Sequence, residues 1–426
     1  MLSLQFIREH PDEVRRAVAS RHVTAPLDDI VRLDMRRREL QRELDELRAE
    51  RNALSKRIGG TRDETARSAL VAESRAVGER VTVLEREMRE VEPRLAALLL
   101  EVPNIPDADV PLGPDESGNV VRQQEEATQA FDFPPRAHWD LGPELGIVDF
   151  ERGARMSGSR FYVLFGVGAR LQHALIRFML DLHVREHGFV EVYPPFVVKE
   201  EALVAAAQLP KFRENLYHDA EEDVWLVPTA EVPLTNLHRD EILDGADLPL
   251  RYVAYTPCFR RERMSAGRDV RGIKRGHQFD KVEMYVFCRP EESERELERL
   301  LESAREVCRR LGLAHRVVEL CTGDLGFAAA RTFDIEIWAP GCGEWLEVSS
   351  CSNVRDFQGR RANVRFRAER GGRPEHVHTL NGSGLALPRT LIGILETYQQ
   401  PDGSVVVPAV LRPYMGGVER IGAPAP

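Results

Sequence analysis

Two apolar stripes in the first hundred residues constrain the fold more than any other feature. Leu40, Leu44, Leu47, Leu54 and Ile58 follow four- and three-residue steps, with Arg51 in the missing slot. Val77, Val81, Leu84, Met88, Val91, Leu95 and Leu98 repeat the pattern. That spacing lays one apolar stripe along a long helix. Gly59 and Gly60 sit between the runs and can end the first helix. Two long helices joined by a short turn form an antiparallel hairpin. At about 1.5 Å per residue the stretch 33–58 alone spans about 40 Å, longer than a small domain is wide. The hairpin is therefore expected to project into solvent, with Pro93 able to bend its second helix. A structural coiled coil and an RNA-binding arm both fit the stripes. Arg36, Arg37, Arg38, Arg42 and Arg48 suit an RNA backbone, but Glu39, Glu43, Glu46 and Glu50 interleave with them as on an ordinary solvated face.

The length, 426 residues, exceeds one ordinary core and implies two domains of unequal size. Residues 102–119 break the helical pattern with Pro103, Pro106, Pro111 and Pro114 and several acids, so they read as a linker. The expected division is a helical arm over 1–102, a linker over 103–121 and a larger domain over 122–426. In the larger domain 171–184 reads as an amphipathic helix. Strand-like runs follow at 190–193, 224–227, 251–259, 278–287, 333–337 and 345–349, interleaved with helical runs at 291–311 and 391–399. Such a succession gives a mainly antiparallel sheet flanked by helices, an α+β class.

No run approaches the roughly 18 apolar residues of a membrane helix. The start mixes Glu9, Asp12 and Glu13 with Arg8, Arg15 and Arg16, unlike a signal peptide or a mitochondrial leader. A soluble, cytoplasmic protein with no membrane role is expected. The six cysteines form no Cys-x-x-Cys pair and no His-bearing zinc spacing, so reduced thiols and no zinc are expected. The net charge of −10 argues only weakly against nucleic acid, because binding needs just a local basic surface.

Four segments of the larger domain hold residues suited to chemistry. The first runs from Arg260, Arg261 and Glu262 through an arginine- and glycine-rich loop to Phe279, Lys281 and Glu283. Strand alternation puts Arg260 with Glu262, and Phe279 with Lys281 and Glu283, on common faces. Coinciding faces would offer an arginine fork for phosphate or carboxylate, a ring for a base and carboxylates for amino or hydroxyl groups. A surface hairpin with cross-strand ion pairs also fits. The second segment, Thr229-Ala230-Glu231, reads by itself as a helix start, with Thr229 capping and Glu231 facing the dipole. In the third, 344–350, alternation sets Glu347 and Ser349 opposite Leu346 and Val348. A carboxylate beside hydroxyls suits Mg2+, and a solvated strand edge fits as well. The fourth, Asn381-Gly382-Ser383-Gly384 before Pro388 and Arg389, reads as a glycine turn opening an apolar helix. Such a start favours anions, and Arg389 could reach a terminal phosphate.

In this order the four segments, with the hairpin before them, resemble the seryl-tRNA synthetases, a family of class II aminoacyl-tRNA synthetases. The resemblance covers nearly the whole chain. Residues 188–195 are similar to the end of the first class II motif. Phe259-Arg260-Arg261-Glu262 with 265–269 and His277-Gln278-Phe279 is similar to the second, and 382–389 to the third. The resemblance implies a tRNA-binding arm ahead of a class II catalytic domain. It implies L-serine, ATP with Mg2+, and tRNA(Ser) as partners, leaves tRNA(Sec) open as a second tRNA, and implies a homodimer formed through the first motif.

Residue roles follow from the same resemblance. Thr229, Ala230, Glu231, Arg260, Glu283, Asn381 and Ser383 would form the serine pocket, with the division of ammonium and hydroxyl among them left open. Arg260 would also hold the α-phosphate, and Glu262 and Phe279 would bind adenine. Arg275 and Arg389 would grip the terminal phosphate. Glu347 and Ser350 would hold Mg2+. Arg261, Gly276, Val348 and Ser349 complete the ATP-binding set. Met264 stands where the family commonly has glycine, and Gly276 where it commonly has valine. The family's zinc-dependent branch is not matched. No anticodon-binding domain is expected after Arg389, which suits tRNAs of widely varying anticodon. Rival readings are a class II synthetase for threonine or proline, a ligase that loads amino acids onto a carrier protein, and a non-catalytic paralogue. The arm argues against the first two, and the presence of Arg260, Glu262, Glu347 and Arg389 against the third.

Overall fold

The computed structural model describes residues 1–126, 131–263 and 271–422. Met264 and the 265–269 part of the second motif lie outside them. The chain divides into two compact units. One comprises Leu2–Ala19 and Val23–Pro103, the other Met1, Ser20–His22 and Asn104–Pro426.

The smaller unit is all helix: α1 (Leu4–Glu9), α2 (Pro11–Ser20), α3 (Leu27–Gly60) and α4 (Glu64–Leu99). The stripes meet as the heptad spacing requires. Leu40, Leu44, Leu47 and Leu54 of α3, and Leu70, Val77, Val81, Met88, Val91 and Leu95 of α4, are buried. Two of the arginines between the seams are tied across the hairpin, Arg36 to Glu87 at 2.7 Å and Arg48 to Glu85 at 2.9 Å. The glycines do not end α3 early. The helix runs through Gly59 and Gly60 to a cap at Thr61, and Asp63 opens α4 by accepting the Ala66 N–H at 2.7 Å. Pro93 stays inside α4, and beyond it Leu99 is buried while Leu98 is only partly so.

The larger unit is built on one eight-stranded sheet. Its strands in chain order are β1 (Val120–Glu125), β2 (Val190–Glu191), β3 (Leu250–Phe259), β4 (Gln278–Cys288), β5 (His315–Glu319), β6 (Arg331–Ala339), β7 (Glu344–Arg355) and β8 (His378–Ala386). Across the sheet they run β1-β5-β6-β7-β8-β4-β3-β2. Every neighbouring pair is antiparallel except β2 with β3. The stretch expected as a linker is hydrogen-bonded to this unit: the Asn104 N–H donates to Phe327 O and the Asp107 N–H to Ala330 O, both at 3.0 Å.

Alternation along β4 sorts the two faces of the sheet. Val282, Met284 and Val286 join the main core beneath α5 (Val167–Arg185), α7 (Ser293–Arg310) and α9 (Leu387–Thr397), among Leu171, Leu300 and Leu391. Tyr285 and Phe287 point the other way, into a smaller cluster with Ala230 and Leu234 near α6 (Glu231–Thr235), and close to α8 (Phe357–Arg361). Phe279, Lys281 and Glu283 share that second face, which the three long helices leave uncovered. The glycine turn expected before α9 is instead strand β8. A Cβ at Gly382 would sit 2.2 Å from Leu300 Cδ2, and one at Gly384 2.6 Å from His183 Nε2. These glycines let α7 and α5 press on the sheet, so their smallness serves packing. No helix among the described residues is long and apolar enough to cross a membrane.

Candidate active site

On the uncovered face of the sheet lies a cavity of about 300 Å³. Its walls bring together residues from all four sequence segments: Thr229, Glu231, Arg260, Glu262, Arg275, Gly276, Phe279, Glu283, Glu347, Val348, Ser350, Asn381, Ser383 and Arg389.

The deep end is made of buried charge. Glu283, with no exposed surface, forms an ion pair with Lys281, also buried. The Asn381 amide donates to Glu283 Oε1 at 3.4 Å. Glu231 opens α6, where Thr229 Oγ1 accepts its backbone N–H at 3.2 Å. The N-cap of α6 is Ala230, without a side-chain cap, so Thr229 braces the helix start from one position earlier than expected and lines the cavity as well. Burial, and then the neighbouring Glu283 charge, push the Glu231 carboxyl up to about 7, against the pull of the Gln358 amide, Lys281 and Arg260.

The middle is held by Arg260. Its Nε donates to Pro228 O at 3.2 Å, and its guanidinium lies 5.1 Å from the Phe279 ring centroid. Strand alternation does not account for Arg260 and Glu262. Both lie past the end of β3, and Glu262 has a φ of 51° in the left-handed region. That turn brings Glu262 to Arg275, whose Nη1 donates to Glu262 Oε2 at 2.9 Å.

At the outer end Arg389, in the first turn of α9, donates through Nη1 to Glu347 O at 2.7 Å and through Nε to Lys274 O at 3.2 Å. Its nearest approach to the Glu347 carboxylate is 3.4 Å. A bulge at Val348 corrects the expected alternation on β7. Ile335 faces Ser349 while the next residue, Glu336, faces Glu347. The extra residue turns Ser350, and not Ser349, to the cavity beside Glu347. Ser349 is buried instead and donates to Ser383 O at 2.7 Å. Ala230, packed under α6, and Arg261, over the Tyr217 ring at 5.9 Å, also stand outside the cavity wall. At Gly276 a Cβ would meet Gln278 O at 2.9 Å, so the backbone itself closes that side.

Lys274 and Gln208 line the cavity too, and the sequence reading gave them no role. Lys274 pairs with Glu344. A signal for Lys274 and Lys281 existed: the chain has only five lysines, and these two face one cavity. Gln208 carried none. A separate cluster, the buried His138 and Glu396 with the partly buried Cys342, places three potential metal-ligand atoms within 4.8 Å of one another. Hydrogen bonds account for its geometry. His138 Nε2 accepts the Ile273 N–H at 3.2 Å, which leaves Nδ1 to donate to Glu396 Oε1 at 2.7 Å, and Cys342 Sγ donates to the same oxygen at 3.0 Å.

Comparison with known proteins follows the same division. Residues 1–106 match the seryl-tRNA synthetase N-terminal domain, and 212–398 match the class II tRNA synthetase core domain shared by the G, H, P, S and T enzymes. The chain is 64 % identical over 422 residues to a serine–tRNA ligase of Roseiflexus sp., covering 99 % of both chains. It is 62 % identical over 422 residues to that of Thermomicrobium roseum, covering 99 % of this chain and 95 % of the relative. The solved seryl-tRNA synthetase of Pyrococcus horikoshii, complexed with ATP, superposes with a TM-score of 0.94 at 39 % identity over 100 % of both chains.

Proposed function

This chain belongs to the seryl-tRNA synthetases, and on that premise we propose how its cavity performs the two steps of serine–tRNA ligation. The enzyme joins L-serine to tRNA with ATP. The observation that carries the assignment of the cavity is its deep end, where Glu231 stands beside the buried Lys281–Glu283 pair. Glu283 already faces a cation, so its remaining acceptor capacity suits a neutral hydroxyl. Glu231 faces a neutral amide, and its charge is left for an ammonium. Arg260, between these carboxylates and Phe279, takes the serine carboxylate and the α-phosphate together. A hydroxyl pocket built of buried polar groups rejects alanine strongly, because those groups would go unpaired.

Adenine lies against Phe279 with Glu262 as its hydrogen-bond partner, and Arg275 and Arg389 take the outer phosphates. Mg2+ fits the outer end. Glu347 and Ser350 offer only oxygen atoms, which suit a hard cation. Behind them Asp334 Oδ1 is buried without a hydrogen-bond partner, its carboxyl held well above the ordinary range by burial and then by Glu347. When bound there, Mg2+ would neutralise phosphate charge. The serine carboxylate oxygen attacks the α-phosphorus and pyrophosphate leaves, giving seryl-adenylate. The terminal 3′-hydroxyl of tRNA(Ser) then attacks the seryl carbonyl and AMP leaves. No side chain acts as nucleophile. Positioning and fixed charge supply the catalysis.

The arm is proposed to bind tRNA through backbone and shape contacts. A cytoplasmic homodimer is proposed as well, supported by the edge strand β2, where Val190 is 59 % and nearby Tyr193 81 % exposed. The experiment that tests the assignment is pyrophosphate exchange with serine, threonine, alanine and proline, with and without Mg2+. Exchange with serine alone, dependent on Mg2+, is expected. Exchange with another amino acid would reassign the deep end.

A further inference from the structure

Glu231 owes its aim to a residue that does not touch the cavity. Gln358 of α8 has no exposed surface, and its Nε2 donates to Glu231 Oε1 at 2.6 Å and to Ala206 O at 3.2 Å. Its Oε1 accepts from the Tyr285 hydroxyl and from the Thr379 hydroxyl, each at 2.9 Å. The two partners on the nitrogen side, a carboxylate and a carbonyl, can only accept. A flipped amide would set its one oxygen against both of these acceptors, so only one orientation satisfies all four contacts. All four hydrogen-bonding sites of the amide are used, and the group has no freedom to turn.

We propose that Gln358 is a positioning residue for amino-acid recognition, which holds the Glu231 carboxylate ionised and fixed toward the substrate ammonium. This rests on the assignment of the deep end to serine. Among the described residues no cation forms an ion pair with Glu231. The groups that act on it are Glu283 and Lys281 of β4, Arg260 beyond β3 and the Tyr285 hydroxyl. Among the described residues the Gln358 amide is the one donor aimed at its Oε1. Removing that donor raises the pH at which Glu231 ionises. Serine binding then weakens on the acid side and recovers as pH rises, while ATP binding is left alone.

The test is the Gln358→Met full-length enzyme, assayed by serine-dependent pyrophosphate exchange from pH 6 to 8.5. At pH 7 the serine kcat/KM is expected to fall on the order of tenfold, through KM rather than kcat, with KM for ATP within about twofold. The acid limb of the serine kcat/KM profile moves up by about one pH unit, so the loss narrows at pH 8.5. Tyr285→Phe, which removes one of the two hydroxyls that fix the amide, moves the limb the same way by less. It carries the test if Gln358→Met does not fold. A loss that is equal at every pH, or a limb that stays in place, overturns the inference while serine exchange by the parent enzyme keeps the assignment. Absence of serine exchange in the parent enzyme overturns both.

Discussion

The two ends of the cavity solve the problem of holding charge in opposite ways. At the deep end the charges are held by partners inside the protein. Lys281 and Glu283 bury each other, and Glu231 is fixed by Gln358 and by the α6 backbone. At the outer end the charges are provisional partners. The Glu347 side chain is 48 % exposed and sits 3.4 Å from Arg389, while Arg389 also spends donors on backbone carbonyls. Exposed pairs of this kind contribute little, so they yield readily to a phosphate. On the proposed assignment the deep end is rigid because it must discriminate a hydroxymethyl from a methyl group, and the outer end is loose because it must accept and release a polyanion.

If that contrast is right, the largest effect comes from Glu283→Ala. It removes the hydroxyl acceptor and leaves Lys281 buried without its partner. Serine-dependent exchange is expected to fall on the order of a thousandfold, because discrimination by buried hydrogen bonds is steep. ATP binding, measured by equilibrium dialysis, should change little. Unchanged serine-dependent exchange in a folded Glu283→Ala enzyme would sink the assignment of the deep end. A smaller effect is expected at the outer end. Arg389→Ala should lower kcat on the order of a hundredfold through the lost phosphate contact, with KM for serine within a few-fold. Equal damage to serine and ATP parameters in both variants would erase the distinction between the ends.

How far these two ends were legible in the sequence follows from their physics. Heptad spacing revealed α3 and α4, because one periodic stripe fixes a long helix. Period-2 alternation placed Phe279, Lys281 and Glu283 on one face, because β4 is regular throughout. The same rule misplaced Ser349 at the Val348 bulge and could not reach Glu262, which turns away at positive φ. Such irregularities are decided by tertiary packing and leave no periodic trace. The glycines of 382–384 were read as a turn, since glycine signals close approach but not what approaches. Gln358 is 127 residues from Glu231, and nothing local to it distinguishes a buried, fully bonded amide from any helical glutamine. The joint order of the motifs identified the family, whereas the placement of individual side chains needed the fold.

The smallest effect tests whether the deep end is under electrostatic tension before serine arrives. Burial and the Glu283 charge hold the Glu231 carboxyl near 7, above its ordinary value of 4.5. A carboxyl whose pKa is raised on folding binds more protons in the native state than in the unfolded one between those values. Stability therefore falls as pH rises from about 4.5 to about 7, and the full cost persists above. Glu231→Gln keeps the shape and removes the charge. Its melting temperature should match the parent's near pH 4.5 and exceed it at pH 8. Saturating serine should narrow that gap by stabilising only the parent, because the ammonium supplies the missing cation. A gap of the same size at both pH values would mean that Glu231 is not strained by its charge, and that the rigidity of the deep end is one of packing alone.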